Sequence, residues 1–277
     1  MLLERFRKAK QAEVEALKAL EAQGALPPVY EGRRPDFRAA FDRRAPGCPL
    51  AVVAEYKRAS PSRGVICESL DVEDVARQYA AAGASALSVL TEETFFRGRL
   101  EYLARAAAPA LYTGPRVPLL RKDFIFDPLQ VRATAATPAS ALLLIVRLTP
   151  DAATLRALRE QAEGYGIQAV VEIFDAADLR LARESGARII QVNARDLESL
   201  AVDREACLHL VRACLPAKGE QWIAASGMSS AEHLLAATEA GYHAALVGSA
   251  LMENGTPGET LAALLGAAAK TEGDCTC

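Results

Sequence analysis

Residues 168–192 read QAVVEIFDAADLRLARESGARIIQV. An apolar run, Gln168–Ile173, passes into a helical segment, Asp175–Ser185, which Gly186 closes before a second apolar run, Arg188–Val192. Strand, helix, glycine and strand make one parallel β–α–β unit. The same unit recurs on both sides, with Asp71–Ala82 ahead of Gly83 and Ser229–Ala240 ahead of Gly241. Further apolar runs predict strands at Leu50–Glu55, Ala84–Leu90, Val117–Leu120, Ala139–Val146, Trp222–Ala225 and Ala244–Gly248. These strands are apolar throughout rather than alternating, which predicts a parallel sheet covered by helices on its outer face. Eight strands alternating with eight helices select the closed (β/α)8 TIM barrel, and the ~230 residues from Pro49 onward suit it. No G-x-G-x-x-G follows the first strand, so the doubly wound dinucleotide-binding fold is excluded.

Outside the barrel, Leu2–Gln23 has helical periodicity, with Leu3, Phe6, Ala9, Val14, Leu17 and Leu20 near one face; Gly24 and Pro27-Pro28 end it. This helix is expected to pack near the barrel bottom or over its mouth. A short helical piece is predicted around Asp36–Arg44, with Phe37 and Phe41 four residues apart. The expected organisation is a helical extension over residues 1–48, a barrel over 49–270 and a flexible tail over 271–277.

Composition narrows the classes of function. An apolar share of 51% in 277 residues excludes disorder. Lys plus Arg number 32 against 35 Asp plus Glu, a net charge of −3, so no nucleic-acid partner is expected. Apolar stretches such as Ala139–Val146 are too short to cross a bilayer, and the charged N-terminus lacks the apolar core of a signal peptide. Six cysteines with no CxxC pair indicate a reduced, cytoplasmic protein, expected as a monomer or weak oligomer without membrane contact.

In such barrels the chemistry sits at the C-terminal ends of the strands. There the chain carries Glu55 and Lys57 after the first strand, Lys122 after the third, Glu172 on the fifth and Asn193 after the sixth. Ser226-Gly227 follows the seventh strand and Gly248-Ser249 the eighth, where small residues let backbone N–H groups approach a phosphate. Burial beside apolar strands is expected to lower a lysine pKa and raise a glutamate pKa, the usual tuning of general acids and bases. Two rim salt bridges are the plainer reading of any one pair; four groups converging beside a phosphate cradle favour catalysis. His209, His233 and His243 lie away from the strand ends, Cys207 and Cys214 fit helix packing, and Cys275 and Cys277 fall on the tail.

The strand-end stretches Ala54–Gly64, Ser88–Glu92, Leu119–Phe124, Val171–Ile173, Val192–Leu197 and Val247–Ser249, in this order, resemble the indole-3-glycerol phosphate synthase family. The resemblance runs from about residue 37 almost to the C-terminus. It implies closure of the indole ring of 1-(2-carboxyphenylamino)-1-deoxyribulose 5-phosphate, with loss of CO2 and water, in tryptophan biosynthesis. Lys122 would be the general acid at the ribulose carbonyl and Glu172 the base in dehydration. Lys57 would hold the substrate carboxylate, Glu55 would orient the lysines, and Asn193 would bind a substrate hydroxyl. Ser60, Arg195, Ser226, Gly227, Gly248 and Ser249 would surround the phosphate, and Phe96, Phe124 and Leu143 would line an apolar slot for the aromatic ring. No metal and no cofactor are expected. One position departs: the family usually reads Ala-Glu-Ser-Gly after the seventh strand, and this chain reads Ala224-Ala225-Ser226-Gly227. The alternative this carries is a divergent phosphate-binding barrel with weak or no synthase activity.

Overall fold

The alternation in the sequence becomes a closed parallel barrel in the computed structural model, which describes residues 2–149, 151–196 and 198–274, with backbone alone beyond Lys270. Its strands are β1 (Ala51–Tyr56), β2 (Ala86–Leu90), β3 (Leu119–Ile125), β4 (Ala141–Ile145), β5 (Gln168–Ile173), β6 (Ile189–Asn193), β7 (Gln221–Ala225) and β8 (Ala244–Val247). Each pairs with its neighbours in the chain, and β1 pairs with β8 through Ala51–Ala244 to Ala54–Val247, which closes the ring. The outer helices are α2 (Val72–Ala81), α3 (Tyr102–Ala106), α4 (Pro128–Ala135), α5 (Ala152–Gly164), α6 (Ala176–Glu184), α7 (Arg204–Cys214) and α8 (Ala231–Ala240), then α9 (Ser249–Met252) and α10 (Pro257–Asp274). Aspartate side chains cap four of them: Asp127, Asp151, Asp175 and Asp203 each accept a backbone N–H from the first turn.

The apolar strands serve two cores. On β1, Val52, Ala54 and Tyr56 face the helices, whereas Ala51 and Val53 face the barrel interior. Side chains alternate along every strand, and the inward positions change from aliphatic to polar toward the C-terminal ends. There the interior presents Glu55, Ser88, Lys122, Glu172, Gln191 and Asn193, above inward residues that are mostly apolar.

Strand β3 corrects the expectation that the third strand ends at Leu120. It continues through Arg121, Lys122 and Asp123 to Ile125, with a register irregularity against β4 between Arg121 and Ile125. Three charges in a row read as loop in the sequence. In the fold Arg121 and Asp123 point outward and satisfy each other, Arg121 Nη2 donating to Asp123 Oδ2 at 2.8 Å. Arg121 also donates to Thr91, Thr134, the Gln130 carbonyl and Glu13. A buried pair with this many partners lets the strand continue.

The N-terminal helix α1 (Leu2–Ala22) lies over the mouth. Its buried stripe is Leu3, Phe6, Lys10, Val14 and Leu17, so Lys10 takes the place expected for Ala9. Lys10 is tolerated there because its ammonium reaches Asp123 at 3.0 Å. At the other end Phe37 and Phe41, 5.4 Å apart, join the interior core with Ala51, Ala141 and Ile189. The helix predicted over Asp36–Arg44 is a 3-10 turn, Ala39–Asp42. Gln168 Oε1 accepts the N–H groups of Phe37 and Arg38 instead, which fixes the segment by tertiary contact. The last helix runs to Asp274, over part of the expected tail; Cys275 and Cys277 lie outside the described residues. Among the described residues no helix is long and apolar enough to cross a membrane.

Candidate active site

A cavity of about 300 Å3 opens at the C-terminal end of the barrel. Of the residues expected there it is lined by Glu55, Lys57, Ser60, Phe96, Lys122, Phe124, Glu172, Asn193, Arg195, Ser226, Gly227, Gly248 and Ser249. The structure does not bring Leu143 to it. Leu143 points inward on β4 and is fully buried in the interior core, while Phe6 of α1 completes the apolar wall. Phe6 stacks on Phe124 with ring centroids 4.2 Å apart, and Phe96 lies 6.1 Å from Phe124. Glu92 sets the Phe96 loop by accepting the backbone N–H groups of Thr94, Phe95 and Phe96.

Two lysine–carboxylate pairs face each other on the polar side. Lys57 Nζ is 2.6 Å from Glu55 Oε1, and Ser88 donates to Glu55 Oε2 at 3.0 Å. Lys122 Nζ lies 3.6 Å from Glu172 Oε2, and the Gln191 amide donates to the same oxygen. Burial pushes the Glu55 carboxyl up, but the charges of Lys57 and Lys122 outweigh it and hold Glu55 below the ordinary carboxylate range. The expectation that burial would raise it is therefore corrected: two cations within reach favour the charged form more than desolvation opposes it. Glu55 is held as an anion, suited to orienting ammonium groups.

Asn193 is locked by its acceptor side. Its Oδ1 accepts from Ser226 Oγ at 2.7 Å and from the Arg195 N–H at 3.0 Å, so its amide NH2 is the group presented to a ligand. Ser226 and Gly227 both have left-handed backbone, at φ +68° and +74°. A side chain at 227 would also meet Val202 Cγ1 at 2.7 Å, which explains the glycine. At Gly248 a Cβ would fall 2.6 Å from Glu55 Oε1 and 3.2 Å from Lys57 Nζ, so this glycine admits the Glu55–Lys57 pair. Arg195 is lowered first by burial and then by Arg63, two guanidinium groups close enough to repel. Both line the cavity, so an anion between them would relieve that repulsion.

Ala225 ends β7 opposite Asn193 and lines the cavity while 3% exposed. Sequence reasoning did not assign Phe6, Arg63, Gln191 or Arg204 to the site, although all four line it. A polar residue inside the apolar run Ile189–Val192 was the available signal for Gln191. His209, His233 and His243 do not line the cavity; His243 Nδ1 accepts the Trp222 N–H at 3.1 Å.

Comparison with known proteins agrees with this geometry. The family model described as indole-3-glycerol phosphate synthase matches residues 3–264. The chain is 41% identical to the indole-3-glycerol phosphate synthase of Carboxydothermus hydrogenoformans over 216 residues, covering 78% of this chain and 79% of the relative. It is 44% identical to that of Roseiflexus castenholzii, covering 74% and 76%, and 40% identical to that of Mycobacterium sp. strain KMS, covering 93% and 88%. Among solved structures, mandelate oxidase with (S)-2-phenylpropionate superposes with TM-score 0.55 at 22% identity, covering 82% of this chain and 72% of that one. A native KDPGal structure superposes with TM-score 0.54 at 18% identity, covering 81% and 95%. These two likenesses carry the barrel fold alone. The strand-end residues, the extension over the mouth and the match along nearly the whole length belong together: the chain is a member of the indole-3-glycerol phosphate synthase family.

Proposed function

We propose that the cavity converts 1-(2-carboxyphenylamino)-1-deoxyribulose 5-phosphate into indole-3-glycerol phosphate, with loss of CO2 and water. The observation that carries the reading is the convergence of two lysine–glutamate pairs, Lys57–Glu55 and Lys122–Glu172, between an aromatic wall and two serine–glycine turns. The aromatic ring lies against Phe6, Phe96 and Phe124. The phosphate takes backbone N–H groups of Ser226-Gly227 and Gly248-Ser249, with Ser60 and the Arg195 guanidinium beside it.

Ring closure moves electrons onto the ribulose carbonyl oxygen, and Lys122 delivers the proton there. Lys57 holds the substrate carboxylate until CO2 leaves, with the neighbouring iminium as electron sink. Glu55 holds the Lys57 ammonium in place through their 2.6 Å ion pair. In dehydration Lys57, released from the carboxylate, protonates the departing hydroxyl and Glu172 removes the ring proton, while the Asn193 amide donates to a substrate hydroxyl. The reading includes a cytoplasmic protein, for which six cysteines without a CxxC pair speak, acting as a monomer or weak oligomer.

The test is direct. The purified chain, given the anthranilate-derived ribulose phosphate, should produce the indole fluorescence of indole-3-glycerol phosphate. A protein that binds this substrate and leaves it unconverted would favour the divergent-barrel alternative, for which Ala225 is the motive.

A further inference from the structure

Gln191 is a neutral amide buried among the charges of the site. It points inward from β6, is fully buried, and pairs in register with Glu172 on β5. Its Nε2 donates to Glu172 Oε2, while its own Oε1 is buried with no hydrogen-bond partner. Leaving a buried carbonyl unmatched is costly, and an apolar side chain of the same size would avoid the cost. Reversing the amide would set Oε1 against a carboxylate oxygen, lone pair to lone pair. The orientation is therefore dictated by Glu172, and the bond to an ionised oxygen is the strong kind that offsets an orphaned acceptor.

We propose that Gln191 is a positioning residue for the proton-transfer step, clamping Glu172 through Oε2 so that Oε1 is the oxygen that takes the proton. This rests on the reading of Glu172 as the base. Lys122 on β3 approaches the same Oε2 at 3.6 Å, so the amide donor and the ammonium charge converge on one atom. The other surroundings of Glu172 leave the amide as the adjustable partner. On β4 its neighbour in register is the apolar Ile145, and β7 presents Ala225 where the family usually carries a carboxylate. Just past β1 the Lys57 charge is engaged by Glu55. Arg195, past β6, and Arg204, the first residue of α7, line the same cavity. With no acid on β7, the amide on β6 is what divides the two Glu172 oxygens into one held and one reactive.

The experiment compares wild type with Gln191→Met, Gln191→Glu and Glu172→Gln. Two readouts are taken: kcat and KM across pH, and the carboxyl titration of Glu172 by carbon NMR in the ligand-free protein. Gln191→Met removes a donor from the ionised carboxylate, so the charged form is less favoured. The Glu172 titration midpoint and the acid limb of kcat should both move upward by about one pH unit. kcat should fall about tenfold while KM stays within about twofold, because the clamp acts on the reacting step. Thermal stability should hold, since the orphaned carbonyl goes with the amide. Gln191→Glu sets a second carboxylate beside the first and should move both midpoints further in the same direction.

Titration midpoints that overlay wild type in folded Gln191→Met and Gln191→Glu overturn the proposal. If the acid limb survives in Glu172→Gln, Glu172 is not the base, and the mechanistic reading falls together with its clamp. If that limb vanishes in Glu172→Gln yet is unmoved by both Gln191 variants, the mechanistic reading stands and the clamp alone is refuted.

Discussion

The Lys10 ammonium donates to Asp123 Oδ2 at 3.0 Å, fastening the first helix of the chain to the strand that carries Lys122. Arg121 and Asp123 flank Lys122 in sequence and face outward, so the network that anchors α1 also holds the backbone on both sides of that lysine. On the other face of β3, Phe6 stacks on Phe124 inside the cavity. The helix therefore grips the strand from its polar and its apolar side.

Removing the grip has two expected readouts. Lys10→Met takes one charge-assisted hydrogen bond from a carboxylate that keeps Arg121, and should lower unfolding free energy by about 1.5–3 kcal/mol in urea titrations. Burial pushes the Asp123 carboxyl up, but Arg121 and then Lys10 outweigh it and hold it at about 2. A depressed folded value stabilises the fold in full above the unfolded value near ~3.9, and this contribution is lost as pH falls through the folded one. Urea midpoints of the wild type should accordingly drop between about pH 4 and pH 2, and Asp123→Asn should flatten that drop.

Lys122→Ala should spare the fold, because the side chain lies on the cavity wall rather than in the packed core. Loss of a positioned general acid should reduce turnover by roughly 10²–10⁴-fold. Circular dichroism checks the fold and steady-state kinetics the rate. Near-normal turnover would assign the acid to another group.

Gly248→Ala is expected to affect chemistry more than anion binding. Its methyl would press on Glu55 Oε1 and Lys57 Nζ, displacing that pair while leaving the backbone N–H groups of the turn in place. kcat should fall by about tenfold or more, whereas inorganic phosphate should still raise the melting temperature of the variant. Loss of phosphate protection with kcat intact would reverse the assignment. A bulkier Gly248→Asp change disturbs both at once and cannot separate them.

Ala225→Glu should raise kcat/KM. The side chain enters the cavity beside Asn193, where a carboxylate would accept from a substrate hydroxyl. A charge-assisted contact made in the transition state is worth about 1.5–3 kcal/mol, or roughly one to two powers of ten in rate. Kinetics on both proteins at one pH decide it. An unchanged or lower rate would mean that the site already works around the alanine.

The sequence was most readable where one physical rule governed a segment. β5 runs over Gln168–Ile173 as its apolar run suggests, and Glu172 is the single charge inside it, so strand and site emerged from the same residues. β3 was less legible because Arg121-Lys122-Asp123 obeys two rules at once: Lys122 serves the cavity while its neighbours serve a buried network closed by residues from the first helix. Local pattern cannot reveal a partner more than a hundred residues away. Phe6 was hidden for the same reason, since a helical stripe shows which face is buried and not what it is buried against. Leu143 erred in the other direction: alternation turned it inward, but its depth in the barrel, set by the shear of the ring, was not written in β4 itself.

The seam between β1 and β8 governs when this chemistry can exist. Ala51 to Ala54 must find Ala244 to Val247, so the ring closes only after nearly the whole barrel has been threaded between them. Pairings this far apart in sequence make for slow folding, because loop entropy is lost before the contact rewards it. The same seam brings Gly248 against Glu55 and Lys57. A growing chain thus carries most of its charged strand ends early, but the Glu55–Lys57 pair and the Gly248-Ser249 turn meet only at closure. The geometry of the site thereby depends on the seam, because parting β1 from β8 would part Gly248 from Glu55 and Lys57.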